Sequence, residues 1–534
     1  MIWIIARRQL LDYLITWRFG LVLAISTVLV VLGTSLQVAT LEEQLEDYEA
    51  RQHQLRQETG DARTFNEVRL GVGRRPPMLG FLCAGQDQQL PHFATTGILY
   101  PPLEALGVPT AKDRFWYIGW GAIQTFARQN PLMRGLRKID FAFAVATFLS
   151  LLAFLLSFDS ISGERETGTL FLVIANSVSR GAILLGKLLG GMGCLAISLA
   201  VALNAALIVG LQSPRIALGT ADWIAVGLLF AVSLLFLSGL FILGMVVSCW
   251  TDRPSTSLVV LLLIWTVAVA LIPNAAPYAA SLLREMPSES EYARKYAETS
   301  QSLQEMLDEL GHRSPPPSSI PMGADFVNSE RISGFIPYAR KLSWAPREAV
   351  DWYITGTEEG NRFLVDSIDE QWKLFDVRFV RLLSQRDLAE WLGRFSPVFS
   401  FSNLAERIAG THPSVGVRFA RQAKQFHDLL IAFARQEGGL GLRFFTPLKR
   451  EDFHLLVDYQ QLWDAGGMER IREIYEEKYE KTEPVQGLPV FRFRPEPPLD
   501  VALHTDLILL TLLPALFFIW GFFTFIHREE AGRP

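Results

Sequence analysis

The sequence predicts an all-α polytopic membrane protein, with six transmembrane helices and a mainly helical extracytoplasmic domain built from two inserts. Half of the 534 residues are hydrophobic. These residues are clustered in long blocks instead of being spread at the spacing of a soluble core. Six of the blocks are long enough to cross about 30 Å of hydrocarbon at a rise of about 1.5 Å per residue.

The six blocks divide the chain into spans and inserts. The first block also fits a secretory signal peptide, because Arg7 and Arg8 precede it. Its apolar core exceeds the roughly 7 to 15 residues of such a signal, so we expect a retained span. The spans are predicted at Phe19–Val38, Ile139–Phe158, Ala182–Leu211, Trp223–Trp250, Leu258–Ala276 and Leu507–Ile526.

The predicted division into domains follows the same blocks. It assigns 1–18 to a cytoplasmic interfacial helix, 19–38 to transmembrane helix 1, 39–138 to the first extracytoplasmic insert, 139–276 to transmembrane helices 2 to 5, 277–504 to the second insert, 505–526 to transmembrane helix 6 and 527–534 to a cytoplasmic tail.

The distribution of Arg and Lys in the short loops predicts the orientation, because cytoplasmic loops carry an excess of these residues. With six spans, all the basic short segments fall on one side of the membrane. We expect that side to be the cytoplasm, which makes this a multi-pass protein of the cell inner (plasma) membrane with both termini cytoplasmic. The basic residues are Arg7, Arg8, Arg18, Arg165, Arg180, Lys187, Arg253, Arg528 and Arg533.

The first residues of the chain have an amphipathic pattern. Arg7, Arg8 and Asp12 alternate with an apolar stripe, which suits a helix lying in the inner membrane interface. The alternative is that this segment is the start of the first span. The apolar stripe consists of Trp3, Ile4, Leu10, Leu11 and Leu14.

The two inserts are predicted to be mostly helical. Their helical patterns lie at Leu41–Gln57, which should prolong the first span as a stalk, and at Glu289–Leu310, Asn361–Phe395, Val415–Gln436 and Arg450–Lys481. Turns or linkers rich in Pro, Gly and Ser separate them at 314–319, 438–441 and 495–498. The helices carry aromatic residues that indicate a packed core or, alternatively, a groove for an amphiphilic ligand, at Trp344, Trp352, Tyr353, Trp372, Trp391 and Trp463.

A dense charged loop separates the second and third spans. Glu164, Arg165 and Glu166 cannot lie in hydrocarbon, and Gly163 and Gly168 bracket them with flexible backbone. From spacing alone the segment is an ordinary solvated loop or a short helix that offers charged and hydroxyl side chains to a cytoplasmic partner.

A resemblance to a known family favours the second interpretation, a short helix that contacts a cytoplasmic partner. The stretch Phe158-Asp159-Ser160-Ile161-Ser162-Gly163-Glu164-Arg165-Glu166-Thr167-Gly168-Thr169-Leu170, with Ser179-Arg180 and Gly186-Lys187 downstream, is similar to the signature of permease subunits of type-2 ABC exporters. In that family the loop between the second and third spans forms a coupling helix against the ATP-binding subunit. The resemblance implies a coupling loop at 159–180, with contacts made by Glu164, Arg165, Glu166, Thr167, Gly168, Thr169 and Leu170.

A second stretch resembles one subgroup of that family. Ser396-Pro397-Val398-Phe399-Ser400-Phe401, followed by Gly410-Thr411, is similar to permeases with large extracytoplasmic inserts, related to those of nitrous-oxide reductase maturation and gliding motility. The chain departs from the family at Ser177, where Pro is expected, and at its end, Phe525-Ile526-His527-Arg528-Glu529-Glu530. These departures weaken any transfer of a substrate.

The chain is not expected to be an enzyme by itself. Gly181 to Leu188 copies the Gly and Lys spacing of a phosphate-binding loop, but Leu188 stands where a hydroxyl must meet magnesium. We expect no cofactor and no metal in this chain, with ATP and magnesium on the partner subunit. A net charge of −5 with interspersed bases gives no sign of nucleic-acid binding.

The middle parts of the spans contain almost no ionisable residues, whereas ion-driven transporters keep such residues on their pathway. Energy should therefore come from outside the membrane. Small residues in the third and fourth spans allow close helix packing, either within one subunit or at a dimer seam. They are Gly186, Gly190, Gly193, Gly239 and Gly244.

We therefore interpret the chain as the transmembrane permease subunit of an ATP-driven ABC exporter-like complex. The expected partners are an ABC ATP-binding subunit, a second permease that is the same chain or a related one, and membrane lipid, with an envelope protein as a further candidate. Reversing Glu164 and Glu166 to Lys is expected to weaken docking of the ATP-binding subunit without affecting insertion. The alternative is a membrane-anchored sensor or scaffold whose extracytoplasmic domain binds a ligand or an envelope protein.

Overall fold

The chain is helical through most of the part that the computed structural model describes. That part comprises residues 2–85, 87, 90–99, 139–169, 179–284, isolated positions between 291 and 309, and residues 347–445, 447, 473, 481–495 and 505–531. Several sequence predictions lie outside it, among them Leu170, Ser177, Trp344, Trp463, the linker at 314–319 and almost all of the helix predicted at Arg450–Lys481.

The described helices are α1 (Ile2–Ile15), α2 (Trp17–Gly60), α3 (Phe141–Ala144), α4 (Ser150–Ser157), α5 (Ser162–Glu166), α6 (Arg180–Leu211), α7 (Thr220–Trp250), α8 (Pro254–Thr266), α9 (Ile272–Leu283), α10 (Arg347–Gly393), α11 (Pro397–Ala409), α12 (Ser414–Gln436), α13 (Leu442–Phe445) and α14 (Thr505–Ala531). Two π-helical turns, Val145–Leu149 and Val267–Leu271, join α3 to α4 and α8 to α9. A 3₁₀ helix lies at Met78–Phe81 and two short strands at Leu70–Gly73 (β1) and Phe93–Thr96 (β2).

Six of these segments are long and apolar enough to cross a membrane, so the predicted all-α polytopic fold is confirmed. In chain order they are Phe19–Gly60, Phe141–Glu166, Arg180–Leu211, Thr220–Trp250, Pro254–Leu283 and Thr505–Thr524, called spans 1 to 6 below. Helix α5, at the polar end of the second segment, belongs to the loop that leads to span 3. Span 1 continues without a break into the stalk that the sequence predicts at Leu41–Gln57.

The N-terminal helix α1 is separate from span 1. Thr16 between them has an extended backbone, with φ −69° and ψ 132°, so α1 is not the first turn of the span. Helix α1 packs on span 3, where a Cβ added to Gly186 would lie 2.7 Å from Ile5 Cγ2 and one added to Gly190 would lie 2.8 Å from the Ala6 carbonyl oxygen. These two glycines therefore bring two helices of one chain together.

The π-turns of spans 2 and 5 are departures from straight helix that hydropathy does not show. In span 5, Pro273 lacks the N–H that would bond to the Val269 carbonyl, which favours a widened turn before it. In span 2, Ser150 follows the π-turn, and Trp265 Nε1 of span 5 donates a hydrogen bond to its Oγ at 3.0 Å. This bond joins the two irregular regions, and π-turns are frequent at functional positions.

Helix α11 connects spans 4, 5 and 6 with the extramembrane part of the chain. The Ser396 hydroxyl accepts the N–H groups of Val398 and Phe399 at the helix start, while Gly410, at φ 73°, ends the helix in the left-handed conformation. Phe401 stacks on Phe236 of span 4 with ring centroids 4.6 Å apart. Other residues of α11 pack on span 6.

Helix α11 is also bonded to the π-turn of span 5. The Ser396 hydroxyl donates to the Ala268 carbonyl at 2.6 Å. The π-turn leaves the backbone there out of the regular helical pattern, and a carbonyl without a regular helical partner needs another donor. The motif beginning at Ser396 therefore forms a helix that is fitted into an irregular part of the membrane bundle.

The extramembrane segments on either side of spans 2 to 5 share one hydrophobic core. Helices α10, α12 and α13 pack against the residues that follow α2 and against the antiparallel β1–β2 hairpin, in which Leu70 pairs with Thr96. This two-stranded sheet was not predicted. The shared core consists of Ala62, Phe65, Val68, Ile98, Leu99, Val365, Ile368, Leu430, Ile431, Ala434, Leu440, Phe444 and Val485.

The aromatic residues of α10 divide between core and surface. Trp372 is 8% exposed and therefore buried, which agrees with the packed-core interpretation, whereas Trp391 is 57% exposed. The packed-core interpretation of the aromatic residues therefore does not hold for Trp391. At about 100° per residue, these two positions lie on faces of the helix about 100° apart, so one helix–core contact cannot cover both.

Candidate functional site

The loop between spans 2 and 3 is the candidate site, and it contains the short helix α5. Serine hydroxyls shape the chain before it: Ser160 Oγ donates to the Ser157 carbonyl at 2.7 Å, and Ser162 Oγ donates to the Phe158 carbonyl at 2.9 Å. Gly168, at φ 73°, turns the backbone after the helix in a conformation that other residues rarely adopt. The sequence therefore encodes a one-turn helix with defined ends.

Span 4 holds the start of α5. The hydroxyl of Ser248 accepts the N–H groups of Ile161 at 3.1 Å and Ser162 at 3.0 Å, and it donates to the Ser162 hydroxyl at 3.1 Å. Ser248 is fully buried. It satisfies N–H groups at a helix start that have no partner inside the helix, so α5 is positioned by a side chain from another span.

Arg165 holds the other side of α5 to the end of span 4. Its Nη1 donates to the carbonyls of Thr251 at 2.9 Å and Cys249 at 3.3 Å, and it lies 3.7 Å from a carboxylate oxygen of Asp252. These carbonyls end a helix, where a cation is favoured by the helix dipole. The Arg165 side chain is only 21% exposed, so it is directed into the chain.

Lys187 of span 3 provides the third attachment. Its Nζ donates to Glu164 Oε1 at 2.6 Å and to the Ser160 carbonyl at 2.5 Å. The Lys187 side chain is 4% exposed and the Glu164 side chain 32% exposed, so the ion pair is largely out of water. A charge in this environment needs a paired and hydrogen-bonded partner, and Glu164 supplies it.

The predicted coupling residues therefore fall into two groups. Glu164 and Arg165 make contacts inside the chain and help to position α5. Glu166, Thr167, Gly168 and Thr169 are exposed, and the hydroxyls of Thr167 and Thr169 lie 2.9 Å apart. Leu170 lies outside the described residues.

Sequence reasoning missed two residues that position the site. Lys187 is recognisable from the sequence as a residue that needs a partner, because a lysine inside an apolar block requires an acidic group. From the sequence, it serves only as one of the basic residues that indicate the orientation. The role of Ser248 has no such indication in the sequence, since a serine in a membrane helix is common and usually bonds its own backbone.

We expect replacement of Lys187 by Met to lower the free energy of unfolding by about 1.5 to 3 kcal/mol, because Glu164 loses a charge-assisted hydrogen bond. Thermal unfolding of the purified chain in one detergent measures this. A Lys187→Met/Glu164→Gln double variant should lose less than the sum of the two single losses. Strictly additive losses would show that the two side chains do not interact.

Known protein families match most of the chain. Residues 3–330 match the family described as ABC-2 family transporter protein, and residues 363–494 match a domain of unknown function, DUF3526. The first match contains spans 1 to 5 and the whole candidate site. The second contains α11, α12 and most of α10.

Two curated relatives are similar over shorter stretches. The probable ABC transporter permease protein NosY of Stutzerimonas stutzeri is 42% identical over 82 residues, which are 15% of this chain and 30% of that protein. The protein of the same name from Pseudomonas aeruginosa is 52% identical over 48 residues, 9% of this chain and 18% of that protein. The matches thus span less than a third of these relatives.

The family match is the more extensive comparison. It covers more than half of the 534 residues, and the six apolar spans and the charged loop between spans 2 and 3 agree with it. The chain therefore belongs to the ABC-2 family of transporter proteins, as a multi-pass permease.

Proposed function

We propose that this permease is the transmembrane subunit of an ATP-driven ABC exporter-like complex, in which the loop at 159–180 docks on a separate ATP-binding subunit. The observation that carries the proposal is the attachment of α5 to its neighbours: Lys187 and Ser248 bind it from spans 3 and 4, while residues 166–169 are exposed. A short polar helix that is fixed to membrane spans and exposed on its other side is suited to receiving force from a soluble partner.

The partner would bind and hydrolyse ATP with magnesium, and this chain would supply no catalytic group. Two ATP-binding subunits and a second permease, either the same chain or a related one, would complete the assembly. The concentration of Arg and Lys on the side of α5 favours the cytoplasm for that side, with both termini there and the extramembrane domain outside the inner membrane.

The proposed movement begins at α5 and ends in the extramembrane domain. Closure of the ATP-binding subunits would push α5, and its ion pair and hydrogen bonds would pass the displacement to spans 2, 3 and 4 as a rigid shift. Phe236 of span 4 stacks on Phe401 of α11, and Ala268 of span 5 bonds to Ser396. Helix α11 would therefore carry the movement outward, as export of a substrate or as mechanical work.

Glu166 provides the sharpest test of docking. The double reversal of Glu164 and Glu166 expected from the sequence is unsuitable, because a lysine at 164 would face Lys187 and disturb the fold. We expect Glu166→Lys alone to weaken binding of the ATP-binding subunit about tenfold or more, since a charged contact becomes repulsive. Co-purification and ATP turnover in the reconstituted complex measure it.

Glu43→Lys is the matched control, because Glu43 is an exposed residue of α2 and the charge change is the same. It lies in the stalk, at the opposite end of span 1 from α1, and should leave docking unchanged. Unchanged binding and turnover in Glu166→Lys would count against the proposed site and favour the sensor or scaffold alternative.

A further inference from the structure

The end of α10 carries two exposed aromatic side chains. Phe395, just after the helix, is 71% exposed, and Trp391 in its last turn is exposed as well. The two rings contact each other edge to face, with centroids 5.8 Å apart. The height of this pair relative to the membrane decides whether water or lipid covers it.

Span 2 provides a scale for that height. Asp159 ends its apolar residues on the side of α5, and Asp140 precedes them on the opposite side. The two aspartates lie about 28 Å apart along the helix, at a rise of about 1.5 Å per residue. This length agrees with a hydrocarbon core of about 30 Å.

Span 5 places the end of α10 inside this thickness. The Ser396 hydroxyl, next to Phe395, donates to the Ala268 carbonyl at 2.6 Å. Span 5 begins at Pro254 on the side of α5, so Ala268 lies about 21 Å along it. A tilt of the span makes the height smaller still. The end of α10 therefore lies at the depth of the leaflet opposite α5.

Spans 4 and 6 give the same depth. Phe236, which stacks on α11, lies about 21 Å along span 4 from Trp250. Asp506, which binds Arg394, lies about 21 Å along span 6 from Trp520. Trp250 and Trp520 mark one level, because their rings are in contact at 4.3 Å. Three spans thus agree on the position of this part of the chain.

The polar groups at this depth are paired inside the protein. Asp506 is fully buried and accepts from Arg394 and from Asn403 Nδ2 at 2.7 Å. Phe395 and Trp391, next to Arg394 in the chain, face outward instead. Polar groups that are satisfied inside and apolar groups that are exposed outside are the pattern of a surface in lipid.

We propose that the end of α10 extends into the leaflet opposite α5 and binds lipid there, with Phe395 in contact with acyl chains. Trp391 lies about 6 Å farther from α5, at the boundary between acyl chains and headgroups, where tryptophan is enriched in membrane proteins. The surface lies beside span 5, whose exposed residues Leu263 and Leu271 flank Ala268 along the chain. Lipid that covers the span can therefore also cover the two rings.

This contact attaches the extramembrane domain to the bilayer by a second route. The domain is joined to the spans through α11, and through α10 it would also touch lipid directly. A displacement of α11 would carry Phe395 and Trp391 through the leaflet. The inference goes beyond the proposed function, because it concerns this chain and its bilayer without the ATP-binding subunit.

Spin labelling in vesicles tests the proposal. A nitroxide is attached to Phe395→Cys in the full chain, which is reconstituted into phosphatidylcholine vesicles. Power saturation then compares collisions of the label with oxygen, which concentrates in hydrocarbon, and with a water-soluble nickel complex. We expect oxygen to be favoured severalfold at position 395, as it should be at Leu263→Cys in span 5.

Val490→Cys is the matched control in water. Val490 belongs to the extramembrane part and is 79% exposed, so its label should favour the nickel complex. The native Cys83, Cys194 and Cys249 are buried, and the unsubstituted chain treated with the label gives their background. The substituted residues are exposed, so the variants should unfold at the temperature of the unchanged chain.

Two results at position 395 would overturn the proposal. A label that meets the nickel complex as often as the one at Val490 lies in water. A label that neither reagent reaches is covered by protein, such as a second copy of the chain or another partner. Trp391→Cys adds the direction: its label should meet the nickel complex more often than the label at 395, and the opposite order would contradict the way in which α10 enters the leaflet.

Discussion

Replacing Trp372 by Ala is expected to lower the free energy of unfolding of the extramembrane domain by about 3 to 5 kcal/mol. Trp372 is 8% exposed, so truncation leaves a buried cavity. The Lys424 ammonium lies 5.7 Å from the centre of its ring and is held there by Asp369 at 2.8 Å. Loss of the ring also removes this cation–π contact.

Trp391→Ala is the matched control, because it makes the same truncation in the same helix at a residue that is 57% exposed. It contacts Phe395 edge to face, with ring centroids 5.8 Å apart, and its loss should change stability by about 0.5 kcal/mol or less. Limited proteolysis and thermal unfolding in one detergent measure both variants. Equal destabilisation by the two would contradict the buried position of Trp372.

The membrane spans could be predicted from the sequence because their signal is local. Each span is a continuous apolar block, and no distant contact is needed to recognise one. The stalk was predictable for the same reason, since Leu41 to Gln57 contains good helix formers and neither Gly nor Pro. The exposed residues of the candidate site, 166–169, were predicted through their resemblance to a family motif.

What could not be predicted depends on contacts between distant residues. Strands β1 and β2 are only four residues each, and β1 contains Gly71 and Gly73, so the sequence lacks the longer run of alternating apolar and polar residues that predicts a strand. The pairing of Glu164 with Lys187 joins two helices across a loop. The bond from Ser396 to the Ala268 carbonyl joins residues 128 positions apart, and neither residue type signals it.

Charge burial at the base of the extramembrane domain is another long-range effect. Burial, together with the nearby Asp140 carboxylate, raises the pKa of Glu406 to about 8. Asp140 itself accepts the N–H of Ala84 at 2.8 Å and of Phe143 at 2.7 Å, so it caps span 2 and ties it to the chain after β1. Neither acid stands out in the sequence, because only the packing of α11 encloses them.

Asp506, at the start of span 6, is the second residue whose removal should have a large effect. Its side chain is fully buried and binds Arg394 Nε at 2.9 Å and Asn403 Nδ2 at 2.7 Å. Arg394 follows α10 and Asn403 lies in α11, so one carboxylate joins the extramembrane domain, α11 and span 6. Removing one partner of a buried ion pair leaves the other charge uncompensated.

We therefore expect Asp506→Ala to lower the free energy of unfolding by about 3 kcal/mol, at the low end of the range for buried pairs because Arg394 is 22% exposed. Asp222→Ala is the control: Asp222 also lies in the first turn of a span but is only half-buried, and its carboxylate accepts the Gly219 N–H at 2.8 Å. Its loss should cost about 1 kcal/mol. An Arg394→Met/Asp506→Ala double variant should recover part of the loss, because no unpaired charge remains. If Asp506→Ala is no more harmful than Asp222→Ala, α11 is held by its apolar contacts alone, and movement of span 6 would reach the extramembrane domain without this ion pair.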